Sequence, residues 1–136
     1  MLLQHHTNKV PGHTEGQSPL IYLRSTVQAI SEQGLRYVFS DGHGLQKFTS
    51  WFDNISELNK VDWDMVNNRL WFDTDEDNDR QRRKQAEFLV HRYCDWSLIL
   101  DIVVIDQETK SKVQKIFNSF PVTLHRKITV QKNWYY

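Results

Sequence analysis

The segment Gln85-Ala86-Glu87-Phe88-Leu89-Val90-His91 carries the residue types best suited to chemistry in this chain. We interpret it as a β-strand. In a strand, successive side chains point to opposite faces. One face is then apolar, and the other face carries in a line Gln85, Glu87, Leu89 and His91.

A carboxylate beside an amide is useful for binding a sugar. Glu87 can accept a hydrogen bond from a ribose hydroxyl and can stabilise the positive charge that develops on the sugar during glycosyl transfer. The alternative is an ordinary half-exposed strand whose polar side faces solvent. The pattern by itself favours this alternative, because short motifs have low specificity.

A basic cluster lies just before this segment. Local positive charge next to aromatic rings is the combination expected for single-stranded DNA, and Trp71 and Phe72 are close enough in sequence to stack a base. The alternative is a solvated loop in which these cations pair with the acidic run at residues 75–79, and exposed pairs of that kind contribute little to stability. The candidate DNA contacts are Trp71, Arg80, Arg82, Arg83 and Lys84.

Other candidate residues give weaker signals. His43 lies between two glycines, which is typical of a turn histidine with its ring in solvent. The spacing of His5, His6, His13 and Glu15 matches no metal signature, so we predict no metal site. Cys94 is the only cysteine, which excludes an intrachain disulfide, and we expect it to be a small buried apolar residue.

Composition limits the classes of protein that remain. The 136 residues are enough for one domain, and 17 Lys and Arg balance 17 Asp and Glu, so the chain is not a strongly basic nucleic-acid-binding domain. No run approaches the roughly 18 apolar residues that span a bilayer, and the N-terminus lacks a signal peptide. We therefore expect a cytoplasmic protein without a membrane partner.

Hydrophobic patterns predict a mixed α+β chain with strands concentrated in the second half. Strands are predicted at residues 20–24, 37–40, 85–91, 96–105 and 123–130. Helices are predicted after an N-cap at Ser25, at 45–53, over 55–71 with a second N-cap at Asp62, and at 109–120. A tight turn is predicted at 41–44, and an acidic loop at 73–79.

Several motifs in order make the sequence similar to a known family. They are Pro19-Leu20-Ile21-Tyr22-Leu23, Tyr37-Val38-Phe39-Ser40-Asp41-Gly42-His43-Gly44, Val61-Asp62-Trp63-Asp64, Arg83-Lys84-Gln85-Ala86-Glu87-Phe88-Leu89-Val90-His91 and the terminal Trp134-Tyr135-Tyr136. Together they resemble DarT, the toxin of the DarT–DarG toxin–antitoxin systems. Each motif alone is weak, but the ordered set extends over almost the whole chain.

The resemblance implies an ADP-ribosyltransferase-like split β-sandwich that binds NAD and transfers ADP-ribose to thymidine in single-stranded DNA. It implies a macrodomain antitoxin, DarG, as partner. Glu87 matches the catalytic glutamate of the family, and Gln85 is expected to assist in positioning. His43 matches a histidine near the active site, where it lines the cleft or contacts the acceptor. Residues 69–84 correspond to the loop that faces acceptor DNA.

The chain also departs from the family pattern. The family's His-x-Thr-like NAD-binding element and its NAD-contacting arginine are not visible, so residues 1–136 resemble one domain that lacks its N-terminal strands. Such a chain should bind NAD poorly. The alternative to a working toxin is therefore a truncated, inactive remnant that still binds single-stranded DNA or the antitoxin.

Overall fold

A computed structural model describes residues 16–135, and these divide into two compact units. One unit contains residues up to 26 together with residues from 95 onward, and the other contains Val27–Cys94. Helices and strands alternate in both, which confirms the predicted α+β class. The metal candidates His5, His6, His13 and Glu15 lie outside the described residues.

The first unit is built on a three-stranded sheet. Strand β5 (Asp101–Val104) is central, with β1 (Tyr22–Arg24) antiparallel to it on one side and β6 (Lys127–Val130) parallel to it on the other. A parallel pair needs a crossover connection, which here contains a helix, Gln107–Phe117. The helix begins where the Asp106 side chain accepts a hydrogen bond from the backbone N–H of Thr109 at 2.8 Å. Its buried face packs on the sheet through Val113 and Phe117.

The second unit contains another three-stranded sheet, in which β2 (Tyr37–Ser40) is central. Strands β3 (Trp51–Phe52) and β4 (Phe88–Val90) pair with β2 on either side, both antiparallel. Phe39 on β2 is 1% exposed and stacks against Phe52 and Phe88 from the two neighbouring strands. These aromatic contacts fix the register of all three strands.

The helices of this unit are short. In chain order they are α1 (Val27–Glu32), a 3₁₀ helix (Ile55–Lys60), α2 (Trp63–Asn67) and α3 (Arg80–Lys84), and the helix of the first unit is then α4. Gly34, with φ +69°, follows α1 as predicted. The predicted cap at Asp62 is confirmed, since its carboxylate accepts from the N–H of Met65 at 2.9 Å.

Several predicted elements are wrong. Residues 45–53 form turns and strand β3 instead of a helix. The Gln46 N–H donates to the His43 carbonyl, and Trp51 and Phe52 pair with β2. Ser25 does not cap α1, since its hydroxyl donates to the Leu98 carbonyl. Of the strands predicted at 85–91, 96–105 and 123–130, only Phe88–Val90, Asp101–Val104 and Lys127–Val130 are strand.

Two surface properties complete the description. Cys94 is exposed, so the prediction of a buried cysteine is wrong. Between residues 16 and 135 no helix is both long enough and apolar enough to cross a membrane.

Candidate active site

Glu87 lies at the residue before β4 and is tied to the end of β2 by its main chain. Its carbonyl accepts a hydrogen bond from the N–H of Ser40 at 2.9 Å, and its own N–H donates to the Ser40 hydroxyl at 3.1 Å. The Ser40 hydroxyl in turn donates to the Gly42 carbonyl at 2.6 Å, and the Ser40 side chain is fully buried. Ser40 therefore links the backbone of Glu87 to the turn that follows β2.

The Glu87 side chain is exposed and lies close to Gly44. A Cβ atom placed on Gly44 would be 3.0 Å from Oε2 of Glu87 and 2.7 Å from Cζ2 of Trp51. The carboxylate and the indole thus approach the same glycine from β4 and β3. A Cβ at this position would therefore require the carboxylate or the indole to move. Sequence patterns did not identify Ser40, Gly44 or Trp51 as parts of this site.

The turn at residues 41–44 is held by local hydrogen bonds, as its glycines predict. Nδ1 of His43 accepts from the N–H of Leu45 at 3.1 Å, so the neutral ring carries its proton on Nε2 and can donate from there. The backbone N–H of His43 donates to the Arg82 carbonyl at 2.8 Å. His43 belongs to this turn and Glu87 is tied to it through Ser40, so both residues are anchored to one short segment.

Arg82 joins helix α3 to this turn. Its guanidinium makes two hydrogen bonds to the carboxylate of Asp79, at 2.7 and 2.8 Å, and a third to Asp41 at 3.0 Å. Hydrogen bonding to Asp79, opposed by some desolvation, raises the pKa of Arg82, and the same pairing lowers the pKa of Asp79. A Cβ on Gly42 would lie 2.9 Å from the Arg82 carbonyl, so α3 and the turn are in close backbone contact.

Arg83 is also committed to carboxylates. It donates to Asp62 at 2.5 Å and to Asp77, and its Nε lies 3.6 Å from Asp79. The pKa of Asp77 is lowered mainly by its hydrogen bond to Arg83. The structure thus pairs Arg82 and Arg83 with acids of this unit, including Asp77 and Asp79 from the acidic run. Their contact with DNA stays a prediction.

Lys84 is the least exposed member of the basic cluster, at 7%. Its ammonium donates to the carbonyls of Val66 and Asn68 and lies 5.0 Å from the centre of the Trp71 ring. Burial lowers the pKa of Lys84. These contacts connect α3 to the chain that follows α2. Trp71 is half-buried under this cation, whereas its neighbour Phe72 is exposed.

Two predicted site features differ from the expectation. Gln85 is not on a strand face beside Glu87, because its N–H caps α3 on the Arg82 and Arg83 carbonyls and its side chain donates to the Gln81 carbonyl at 2.9 Å. The basic cluster is helix α3 rather than loop. Arg80 is half-buried, and its Nε has no hydrogen-bond partner among the described residues.

A small hollow adjoins Glu87. Its volume is about 150 Å³, and the residues that line it include Phe39, Ala86 and Glu87 itself. Sites for cofactor-sized ligands usually have about 300–1,000 Å³, so this hollow is too small to enclose a ligand of that size. A larger hollow of about 550 Å³ lies at the other end of β2 and β4 and does not include Glu87. Residues 16–135 contain no group of three His, Cys, Asp or Glu placed to hold a metal ion.

Comparison with known proteins identifies relatives of the whole chain. A family model described as "ssDNA thymidine ADP-ribosyltransferase, DarT" matches residues 1–136. A protein of Thermus sp. (strain 2.9) named DNA ADP-ribosyl transferase is 36% identical over 121 residues, which are 89% of this chain and 56% of the relative. The chain thus spans just over half the length of the curated relatives it matches, as it does for the Thermus aquaticus protein, at 58%.

Solved structures give the same result. The structure of Thermus sp. 2.9 DarT in complex with NAD+ matches with a TM-score of 0.91 at 32% identity, covering 99% of this chain and 66% of that one. The structure of the same protein in complex with ADP-ribosylated ssDNA also has a TM-score of 0.91 and covers 63% of that chain. The predicted ADP-ribosyltransferase-like α+β fold is confirmed by this likeness.

Proposed function

Because the chain belongs to the DarT family, we propose that it transfers ADP-ribose from NAD to thymidine in single-stranded DNA. The observation that carries the proposal is the position of Glu87, an exposed carboxylate whose backbone is fixed to Ser40 and whose Oε2 lies against Gly44. Residues 1–136 are, in this proposal, part of one ADP-ribosyltransferase domain. NAD is a substrate in this reaction, and no metal takes part.

Glu87 acts in this proposal on the ribose of NAD. The bond between the ribose and nicotinamide breaks, and the ribose carbon that carried nicotinamide forms a bond to the thymine base. The base loses a proton to solvent. Positive charge develops on the sugar as nicotinamide departs, and a fixed carboxylate stabilises it. His43 lines the acceptor side, with Nε2–H available as a donor. Gln85, as the C-cap of α3, assists in positioning Glu87.

The acceptor DNA lies, in this proposal, along residues 69–84. The complex of Thermus sp. 2.9 DarT with ADP-ribosylated ssDNA supports this class of acceptor. Phe72 is the exposed aromatic ring of this segment. The conformation of the segment is held by the contacts already described for Trp71, Arg82, Arg83 and Lys84. Arg80 is the cation of α3 whose buried Nε has no hydrogen-bond partner among the described residues. A macrodomain antitoxin, DarG, is the proposed partner, and the cytoplasm is the proposed location.

The test is transfer to a defined oligonucleotide. The 136-residue chain, and the same chain joined to the part of the Thermus sp. relative outside the matched residues, are incubated with NAD and a thymidine-containing single strand. We expect a mass gain of one ADP-ribose on the oligonucleotide with the joined chain and none with the 136 residues alone. An oligonucleotide of the same length without thymidine is the control.

Two results would contradict the proposal. One is the absence of product from a folded joined chain, and the other is equal transfer to the oligonucleotide without thymidine. The first would favour the second candidate, an inactive remnant that binds single-stranded DNA or the antitoxin.

A further inference from the structure

The loop at residues 45–50 exposes two large apolar side chains beside the candidate active site. Leu45 is 92% exposed and Phe48 is 81% exposed. Two large apolar side chains exposed to this degree within four residues make the loop a candidate binding surface. The loop departs from Gly44, which Glu87 contacts, and ends at Trp51, whose ring lies against the same glycine. Both ends of the loop are therefore at the site.

Hydrogen bonds hold the backbone of the loop that exposes Phe48. The His43 carbonyl accepts from the Gln46 N–H at 2.9 Å and from the Thr49 hydroxyl at 2.7 Å. The Thr49 N–H donates to the Gln46 carbonyl at 3.1 Å, and the Ser50 N–H donates to the Asp41 carboxylate at 2.9 Å. A backbone held by hydrogen bonds loses less entropy when a ligand binds.

The charge of the loop indicates an anionic ligand. Residues 42–50 contain no carboxylate, and Lys47 lies between the two apolar side chains. Within the part of the chain that is described, Lys47 makes no ion pair, whereas Arg82 and Arg83 are each bound to acids. A cation without an ion pair, adjacent in sequence to an exposed aromatic ring, is a combination that suits a single-stranded nucleic acid, with the base on the ring and the phosphate at the cation.

We propose that loop 45–50 is a stacking platform for a base of the acceptor strand next to the target thymidine, with Phe48 as the stacking ring and Lys47 as the phosphate contact. The inference rests on the proposed function for the identity of the strand. It extends that function by adding a DNA surface on β2–β3 to the one expected at residues 69–84.

The experiment measures binding without NAD, so that chemistry does not contribute. A fluorescein-labelled oligothymidylate is titrated with the 136-residue chain and its variants, and anisotropy gives the dissociation constant. Phe48→Ala should weaken binding about 10-fold, which corresponds to about 1.4 kcal/mol, and Phe48→Trp should restore it. Phe120→Ala, which truncates an exposed aromatic of the first unit, is the matched control and should leave binding unchanged. Lys47→Met should lower the salt slope by about 0.7.

Three results would overturn the proposal: no binding of the oligonucleotide by the unsubstituted chain, equal binding of a duplex, or unchanged affinity in Phe48→Ala. If Phe48→Ala instead lowers only the melting temperature, the loop packs on protein and the proposal is wrong. Its failure is distinct from failure of the proposed function. Transfer of ADP-ribose with no effect of Phe48→Ala rejects the platform alone, whereas platform-dependent binding without transfer rejects the activity alone.

Discussion

The position of the Glu87 carboxylate depends on a residue with no side chain. Gly44 allows Oε2 of Glu87 and the Trp51 ring to approach within the space that a Cβ would fill. The atoms that a Cβ would meet belong to side chains, which can shift by rotation. A substitution here should therefore displace the carboxylate more than it disturbs the fold.

Gly44→Ala is thus predicted to lower the rate of ADP-ribose transfer by the joined chain about 100-fold, the size of effect that misplacement by about 1 Å produces. The free energy of unfolding, from urea denaturation, should change little. Gly34→Ala is the control, because Gly34 has φ +69° and nothing within 4 Å of an added Cβ. It should lose about 1 kcal/mol of stability through backbone strain and keep its transfer rate. An unchanged transfer rate in Gly44→Ala, together with a lowered rate in Gly34→Ala, would contradict the role given to Gly44.

At this scale the sequence predicts a candidate side chain better than its surroundings. Glu87 is singled out as the proposed catalytic residue by its residue type and by the ordered motifs. Ser40, Gly44 and Trp51 are not, because their relation to Glu87 arises only when β2, β3 and β4 pair. The strand position predicted for Gln85 is wrong, since α3 extends to Lys84 and takes Gln85 as its cap.

Among the elements, helix α3 is central to the second unit. Arg82 connects it to the turn after β2, and Arg83 connects it to the cap of α2 at Asp62. The carboxylates of Asp77 and Asp79 have lowered pKa values because of their hydrogen bonds to Arg83 and Arg82. A carboxyl whose pKa is lowered in the fold stabilises it above its ordinary pKa, and this contribution is lost as pH falls through the lowered value.

The melting temperature should therefore fall as pH is lowered from about 5 through the ordinary aspartate pKa of 3.8 and below. Arg83→Met should lower the melting temperature at neutral pH and flatten this acid dependence, because the carboxylates lose the partner that keeps them ionised. Lys115→Met, an exposed substitution on α4, should keep the wild-type dependence. Equal acid dependence in Arg83→Met and the wild type would show that these pairs do not stabilise the fold.

The elements also differ in how well sequence patterns predict them. The caps at Asp62 and Gly34 are local signals, and both predictions are confirmed. The spacing of Leu45, Phe48 and Phe52 is helical, yet these residues form turns and a strand. Competition from the His43 carbonyl and from the edge of β2 is not encoded in spacing, so the pattern fails where tertiary pairing decides the structure.

For the whole molecule, the α+β class and the family follow from the order of elements and motifs. The two three-stranded sheets, with a parallel β5–β6 pair joined through α4, require the structure, because strand order is not visible in periodicity. Net charge also gives limited guidance. The 17 cations and 17 anions balance over the whole chain, but individual cations differ in their surroundings. Arg82 and Arg83 of α3 pair with acids, whereas Lys47 in loop 45–50 makes no ion pair among the described residues.

The central claim is that Glu87 is the carboxylate that supports ADP-ribose transfer to DNA. The most direct test is the mass of a thymidine-containing single strand after incubation with NAD and the joined chain, its Glu87→Ala variant, or its Glu32→Ala variant, which removes an exposed glutamate at the end of α1. We expect a gain of one ADP-ribose with the unsubstituted and Glu32→Ala proteins and none with Glu87→Ala. Persistent transfer by a folded Glu87→Ala protein would show that another group supports the reaction.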